Sequence, residues 1–589
     1  MPSDIVLPHS CRPVHDASGT TWRVWAPHAK EVRLDLFPEG GPGQNILMEN
    51  QSDGHFQIQI DSAENGLRYG FSLDGGPTRP DPCSLWQPDG VHEPSALYFP
   101  SQFSWQNENP LLRREDIVLY ELHIGTFTDI GTFGAAIERL PDLVDLGVNA
   151  IELLPVAQCP GSRNWGYDDV FPFATQNNYG GPGGLQQFID AAHGHGLAIF
   201  LDVVFNHLGP EGNYLSEFAP YYSKDHPTPW GLGFRFEGKD SGPVRDYFLD
   251  CVYHWIHDFR FDGLRLDAVH AMVDRSSPHI LTEIKMVADI AARERGGQSI
   301  IIAESLLNDP DMVTSTENGG LGLDAEWNED FHHAVFSRLA SETSGKYTDY
   351  AHDTAIEAVF RDSHFLTGQF SHYYGKPWGK PAGHIDPTRF VISLQNHDHI
   401  GNRARGERIA SLVSVDQVRL GACLTVLSPC VPMLFMGEEY GETNPFLFFT
   451  DFSDPRAIDG VRKGRKRDYA LSGEIPDPQA VETHRKSCLS WDWSSDERAS
   501  LRHLYRDLIR LRSSHASLRE GRNREVSSRT SGKGFLLIVK RGDLTCWFHF
   551  ADAETALPED EILWRSNPDS VDQKTIAPWE TVITSNSSY

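Results

Sequence analysis

Between Ile117 and Glu439 the chain repeats one unit: a short apolar run that ends in polar or charged residues. The runs are IVLYELHIG from Ile117, AIELLPV from Ala150, AIFLDVVFNH from Ala198 and GLRLDAVH from Gly263. SIIIAES from Ser299, DAEWNED from Asp324, RFVISLQNHD from Arg389 and VPMLFMGEE from Val431 complete a set of eight. Several are separated by helical patterns, such as Leu185, Phe188, Ile189 and Ala192 at 3–4 spacing. Apolar runs buried on both faces and alternating with helices predict parallel strands. Eight of them predict the α/β class and a (β/α)8 TIM barrel, whose functional side chains stand at the carboxyl ends of the strands. A doubly wound sheet is the competing topology. It does not need polar residues at so many strand ends, and no Gly-rich phosphate loop supports it.

The flanks read differently. Val32, Leu34 and Leu36 alternate with Arg33 and Asp35, and Phe56, Ile58 and Ile60 alternate with Gln57 and Gln59. Turns such as Glu39-Gly40-Gly41-Pro42 separate them, predicting a small immunoglobulin-like β-sandwich. The polar stretch from Ser101 to Asn109, ending in Pro110, reads as a linker. Near the other end, Ser494 and Glu497 suggest a capping box, with Leu501, Leu504, Tyr505, Leu508 and Leu511 as the apolar face of the helix they start. Phe535 to Val539 and Thr545 to Phe550 then read as strands. The expected division is 1–105 for the N-terminal sandwich, 106–515 for the barrel with loop insertions and 516–589 for a C-terminal β-sheet domain. The cluster Arg462, Lys463, Arg465, Lys466 and Arg467 reads as a solvated loop.

Composition narrows the partners. With 52 Lys and Arg against 82 Asp and Glu the net charge is −30, so phosphate backbones and anionic lipid surfaces are repelled. Neither nucleic acid nor a membrane is an expected partner. The eight cysteines are scattered without C-x-x-C or zinc spacing, which favours a reducing, cytoplasmic compartment. MPSDIVLPHSCRP lacks the basic start and apolar core of a secretory signal. The longest uncharged apolar stretch, Gly421 to Met436, is broken by Ser428-Pro429 and Pro432 and reads as a buried helix followed by a strand.

The chemistry is concentrated at four strand ends. Asp202, Asn206 and His207 lie on the third run, and Arg265, Asp267 and His270 on or after the fourth. Glu304 ends the fifth, and Asn396, His397 and Asp398 end the seventh. Arg265 and Asp267 are two apart, so on a strand they share a face. Asp267 and Glu304 fall on successive strands and can oppose each other across a pocket. Acetal cleavage needs such a pair: one carboxyl protonates the leaving oxygen, and the other attacks the anomeric carbon or activates water. A guanidinium beside Asp267 supports its charged form, while burial supports a neutral Glu304. The alternative is a metal centre on His397, His399 and Asp202. Metal-dependent barrel hydrolases use more histidines, beginning on the first strand, where only His123 stands. No metal and no cofactor is expected.

DVVFNH from Asp202, GLRLDAVH from Gly263, AES from Ala303 and QNHD from Gln395 resemble, in this order, the four signature segments of the alpha-amylase superfamily. That resemblance implies a retaining mechanism with Asp267 as nucleophile, Glu304 as general acid/base and Asp398 as the acid that grips and distorts the sugar. It implies that Arg265 orients the nucleophile, that His207 and His397 bind sugar hydroxyls, that His270 lines the acceptor side and that Tyr167 is an aromatic platform. Asn206 matches a calcium position of some amylases, but no carboxylate cage accompanies it. WRVWAP from Trp22 is similar to the sandwich of glucan-branching and debranching relatives. RPDPCSLWQPDGVHEPS from Arg79, LYELHIGTFT from Leu119, DAEWNEDFHHA from Asp324 and QNHDHIGNRARGER from Gln395 resemble the maltooligosyltrehalose trehalohydrolase family, as do LFMGEEYGE from Leu434 and PFLFFTDF from Pro445. Leu306 stands after AES where that family implies an acidic residue. The resemblance implies α-1,4-glucan and maltooligosyltrehalose substrates, release of trehalose in trehalose biosynthesis, and maltooligosyltrehalose synthase as the pathway partner. Two readings stay open beside it: a glycogen branching or debranching enzyme, and a non-catalytic glucan-binding protein. Among rim residues, Glu329, Asp330, His332, His333, Glu438 and Glu439 are expected to form the acceptor wall.

Overall fold

A computed structural model of the 589-residue chain describes residues 10–469, 475–531, 534–558, 561–567 and 574–585. Eight parallel strands close into a barrel in chain order. They are β1 (Leu119–Leu122), β2 (Ala150–Leu153), β3 (Ala198–Val203) and β4 (Gly263–Leu266). The ring continues with β5 (Ile300–Ala303), β6 (Ala325–Trp327), β7 (Phe390–Ser393) and β8 (Val431–Phe435).

The two-residue strand period divides each strand between two cores. Leu119, Ala150, Ala198, Phe200, Ile300, Ile302, Ala325, Trp327, Val391, Val431 and Met433 pack together inside the barrel. Their alternates, among them Tyr120, Ile151, Leu201, Leu264, Leu266, Ile301 and Ile392, join the larger core beneath the helices. On β4 this leaves Gly263 and Arg265 to the inside, and Arg265 pairs in register with Asp202 of β3 and Ile302 of β5. The wall is made by helices such as Gly181–Gly194, Ser241–Tyr253, Ile280–Glu294, Glu329–Ala340 and Val415–Val426. The β5–β6 connection departs from the strict alternation: among the described residues it holds only the 3-10 turns Pro310–Met312 and Thr316–Asn318.

Before the barrel, two four-stranded antiparallel sheets carry the alternation expected of Val32–Phe37 and His55–Ile60. Arg12 reaches Asp250 of a barrel helix at 2.9 Å, and Trp25 meets Tyr221 edge-on at 5.2 Å, so this unit rests on the β3–β4 side. After the barrel, a five-stranded antiparallel sheet follows the helix Asp496–Ser514. Buried Arg541 donates to the carbonyls of Leu427 and Ser428, and Arg512 to those of Ser428 and Cys430, which satisfies the end of the helix before β8. Gly421 to Met436 is buried helix and strand as expected, and no described helix is long and apolar enough to cross a membrane.

Two local expectations are corrected. The cap of the last long helix is Ser495, which accepts from the Arg498 N–H, because the helix starts at Asp496 and Ser494 lies one residue too early. The basic cluster forms a helix, Pro455–Asp468, whose signal was Asp454-Pro455: the Asp454 carboxylate caps the Arg456 N–H, and proline suits the first helical position.

Gly263 is fixed by the barrel closure. A Cβ there would stand 2.2 Å from the Ile300 carbonyl oxygen and 2.5 Å from the Phe200 ring, whereas one at Gly464 of the basic helix meets nothing within 4 Å. Gly263→Ala is therefore expected to lower the melting midpoint by several degrees, for about 1–3 kcal/mol of overpacking. Gly464→Ala should hold or raise it, since alanine favours helix by roughly 0.5–1 kcal/mol. Equal midpoints for the two variants in thermal unfolding would show that the barrel interior tolerates the extra methyl.

Candidate active site

Arg265 is the electrostatic centre of the barrel mouth. It is fully buried, its Nη1 donates to both oxygens of Asp202 at 2.8 Å and to Asp267 Oδ1 at 2.8 Å, and its Nη2 lies 3.2 Å from Glu304 Oε2. Its plane sits over the Trp327 ring at 4.2 Å. Burial opposes the guanidinium charge, but the surrounding acids outweigh it and hold the group well above its ordinary value.

The two acids that face each other are pinned by the ladder running one residue past each strand. Asp267 N–H donates to Val203 O, Glu304 N–H to Leu266 O, and Val269 N–H to Glu304 O, at 3.0 Å each. Asp267 receives donors on both oxygens, Arg265 on Oδ1 and Asn206 Nδ2 on Oδ2 at 2.8 Å. Ala268 between them is left-handed, with φ 41° and ψ 51°, and this turn aims its N–H at Glu304 Oε2, 2.6 Å away. A non-glycine residue in that region costs of order 1–3 kcal/mol, held here by the contacts around it. Burial pushes the Glu304 carboxyl up to about 8; Arg265 opposes that shift, and the neighbouring charges of Asp267 and Asp398 reinforce it. Glu304 Oε2 thus meets both the Ala268 N–H and Arg265, while the residue lines the cavity.

These acids open into a cavity of about 1680 Å³. It is lined by Asp267, Glu304, His270, His207, His397, Asp398 and Tyr167, so seven of the expected site residues share one cleft. Arg265 supports them from below without reaching the cleft surface. Tyr167 stacks on the His397 ring at 5.1 Å and donates from its hydroxyl to Asp202 Oδ2 at 2.6 Å. Asp398 is the most open of the acids, its side chain 39% exposed, and accepts from Asn402 Nδ2. The Asn206 amide, weighed above as a calcium position, is committed to Asp267 and to His207 Nδ1.

Asp330 and Glu438 do not belong to the acceptor wall. Asp330 is buried and accepts from the Tyr350 hydroxyl and from the N–H groups of Phe365 and Leu366, so it fixes the loop after β6. Glu438 accepts from the Tyr505 hydroxyl and binds the turn after β8 to the helix Asp496–Ser514, and Glu439 accepts from Tyr120 and binds that turn to β1. One residue off Asp330, the helix turns the other way: Glu329 and His333 line the cleft, and Glu329 accepts from His399 Nε2 at 2.8 Å. The cleft also holds Trp230, Lys346, Arg403 and Arg465, which sequence reasoning missed because they lie on loops and on the basic helix rather than at strand ends. Leu306, at the position where an acid was expected, lines the cleft as an apolar residue.

Comparisons with known proteins agree with this geometry. Residues 99–229 match the alpha amylase catalytic domain, and residues 9–84 match carbohydrate-binding module 48, the isoamylase N-terminal domain. A malto-oligosyltrehalose trehalohydrolase of Saccharolobus solfataricus is 45% identical over 84% of this chain and 86% of its own. One of Mycobacterium tuberculosis is 39% identical over 92% of this chain and 95% of its own. A crystal structure from Salmonella typhimurium, named provisionally as an alpha amylase, superposes with a TM-score of 0.88 at 34% identity over 97% of this chain and 99% of that one. The chain belongs to the malto-oligosyltrehalose trehalohydrolase family of the alpha-amylase superfamily, and it is a glycoside hydrolase.

The raised Glu304 carboxyl has a measurable cost. Between its ordinary 4.5 and about 8, the folded chain holds a proton that the unfolded chain has lost, so this group makes stability fall as pH rises through that window. Glu304→Gln removes the dependence. Its stability advantage over the unmodified protein is expected to grow between pH 5 and 8 at up to about 1.4 kcal/mol per pH unit. Denaturant midpoints for both proteins across that range check it. Parallel curves would mean that Glu304 titrates alike in both states.

Proposed function

We propose that this member of the family hydrolyses the α-1,4 bond that joins a glucan chain to a terminal trehalose, releasing trehalose. The observation that carries the reading is one buried guanidinium within 3.2 Å of two carboxyls, Asp267 and Glu304, that line a single cleft, with burial pushing Glu304 up. Glu304 protonates the leaving oxygen while Asp267 attacks the anomeric carbon, and a covalent glycosyl-enzyme forms. Glu304, now a carboxylate, takes a proton from water, which attacks the same carbon from the vacated side and restores both acids. The released sugar keeps the α configuration. Asp398 grips the hydroxyls of the reacting glucose, Tyr167 underlies it, and His207 and His397 line the pocket around it. His270 bounds the acceptor side beside Glu304.

Trehalose differs from maltose in how its hydroxyls are presented, and a site built around a hydroxyl rejects a partner lacking it. Glu329 and His333, lining the cleft next to His399, supply such groups. The substrate must come from an enzyme that closes a glucan end into trehalose, a maltooligosyltrehalose synthase. The eight scattered cysteines support a cytoplasmic setting. We extend the proposal to the division at 1–105, 106–515 and 516–589, supported by the irregular segment around residues 103–113 and by the start of the last sheet at Arg524.

kcat/KM should be bell-shaped in pH and decline above about 8, where Glu304 loses its proton. Glu304→Gln should flatten the alkaline limb and suffer least with acidic leaving groups; equal losses on acidic and natural leaving groups would remove Glu304 from the acid role. At matched chain length, a trehalose-terminated glucan should be cleaved faster than a linear maltooligosaccharide. Glu329→Ala should narrow that preference by about 1–3 kcal/mol, one buried hydrogen bond. Equal hydrolysis of both substrates by the unmodified protein favours a general glucan hydrolase, and transfer to a second glucan favours a branching enzyme.

A further inference from the structure

One buried acid at the mouth of the barrel has no part in the chemistry above. Glu121, on β1, is 1% exposed and aims its carboxylate inward. It takes both donors of a single residue across the barrel: the His397 N–H reaches Oε2 at 3.1 Å, and His397 Nδ1 reaches Oε1 at 2.5 Å. The far nitrogen of the same ring, Nε2, lies 2.7 Å from the Tyr167 hydroxyl and 3.6 Å from Asp398 Oδ1.

Burial raises the Asp202 carboxyl only to about 6, and with Asp202 ionised at pH 7 the proton bookkeeping along this chain allows one arrangement. The Tyr167 hydroxyl has a single proton, which it gives to Asp202 Oδ2 at 2.6 Å, and both oxygens of Asp202 already face Arg265. Tyr167 therefore accepts from His397 Nε2, which must carry a hydrogen. Nδ1 faces a carboxylate oxygen and carries one too. With both nitrogens protonated, the ring is an imidazolium.

We propose that Glu121 is a positioning residue that holds His397 as an imidazolium and, through Tyr167 and Asp202, orders the network beneath the reacting sugar. The inference rests on the glycosidase reading above and not on the preference for trehalose. Charged and titratable groups surround the ring on several elements: Glu121 on β1, Glu152 on β2, Tyr167 after β2, Asp202 on β3, Arg265 on β4 and Asp398 beside it, with His123 and His399 nearby. Burial and Arg265 work against a charged ring. Asp398 and Glu121 outweigh them, and the ring is held up to about 9. Glu121 alone among them binds Nδ1, so it fixes the orientation of the ring as well as its charge.

Glu121→Gln keeps the size and the acceptor for the His397 N–H but removes the charge. Burial and Arg265 then favour loss of the ring's proton, and the glutamine NH2, which faces Nδ1 while its oxygen keeps the His397 N–H, donates to the bare Nδ1. With any α-1,4-glucan that the protein turns over, the ratio of kcat/KM at pH 7.5 to that at pH 6.0 should fall at least fivefold in Glu121→Gln. It should stay near the unmodified value in Glu121→Asp, whatever the absolute rate of either. An unchanged ratio in Glu121→Gln overturns the proposal and leaves Glu121 a structural residue. Neutron diffraction of the unmodified protein at pH 7 decides independently of any variant's folding: hydrogen on both His397 nitrogens supports the inference, and hydrogen on one sinks it. Failure of the trehalose preference touches neither readout.

Discussion

A guanidinium buried inside a barrel is costly, and the mouth of this barrel exists because Arg265 has three acids to meet. Removing such an ion from water costs several kcal/mol after relaxation. A single ion pair at contact distance returns about 4 kcal/mol at an effective dielectric near 20, so one partner barely balances the burial and several are needed. Asp202 and Asp267 supply them as hydrogen-bonded carboxylates, and Glu304 adds a polar contact at 3.2 Å. The same contacts prevent Asp202 and Asp267 from repelling each other, and they fix where Asp267 can point.

The asymmetry between Asp267 and Glu304 follows from geometry at the same centre. Asp267 is met by two aligned donors, Arg265 and Asn206. Glu304 lies 3.2 Å from Arg265 Nη2, yet that nitrogen makes no aligned hydrogen bond, so the ion pair contributes charge without direction. Burial then dominates for Glu304 and pushes its carboxyl up. A second cation, His397, sits on the far side of Tyr167 and completes an alternation of charge across the mouth: Glu121, His397, Asp202, Arg265, Asp267.

The rim is governed by other rules. Its residues stand on helix ends and turns beside loops whose backbone groups they satisfy, as Asp330 does for Phe365 and Leu366. A polar residue there has a choice between holding its own loop and facing the ligand. Asp330 and Glu438 hold structure, whereas Glu329, one position away on the same helix, faces the cleft. Helical geometry separates neighbours by about 100°, enough to move a side chain from core to cavity.

The sequence by itself determined the barrel and its catalytic floor. Strands have a two-residue period, so a polar residue at an inward position of an apolar run is legible without coordinates, and Asp202, Arg265, Asp267 and Glu304 were read that way. His207, His270, His397 and Asp398 were legible as polar residues at strand ends, whereas Tyr167 and the role of each came only through family resemblance, because no local rule joins residues on different loops. Tertiary structure alone decided the rest. Whether Asp330 turns inward depends on which N–H groups the following loop leaves unpaired. The basic helix meets the cleft only because the chain after β8 folds back over it, bringing Arg465 to the cavity. Glu121 was present in the first strand run and looked like any strand polar residue. Its meaning depends on His397, 276 residues away in sequence and a hydrogen bond away in space.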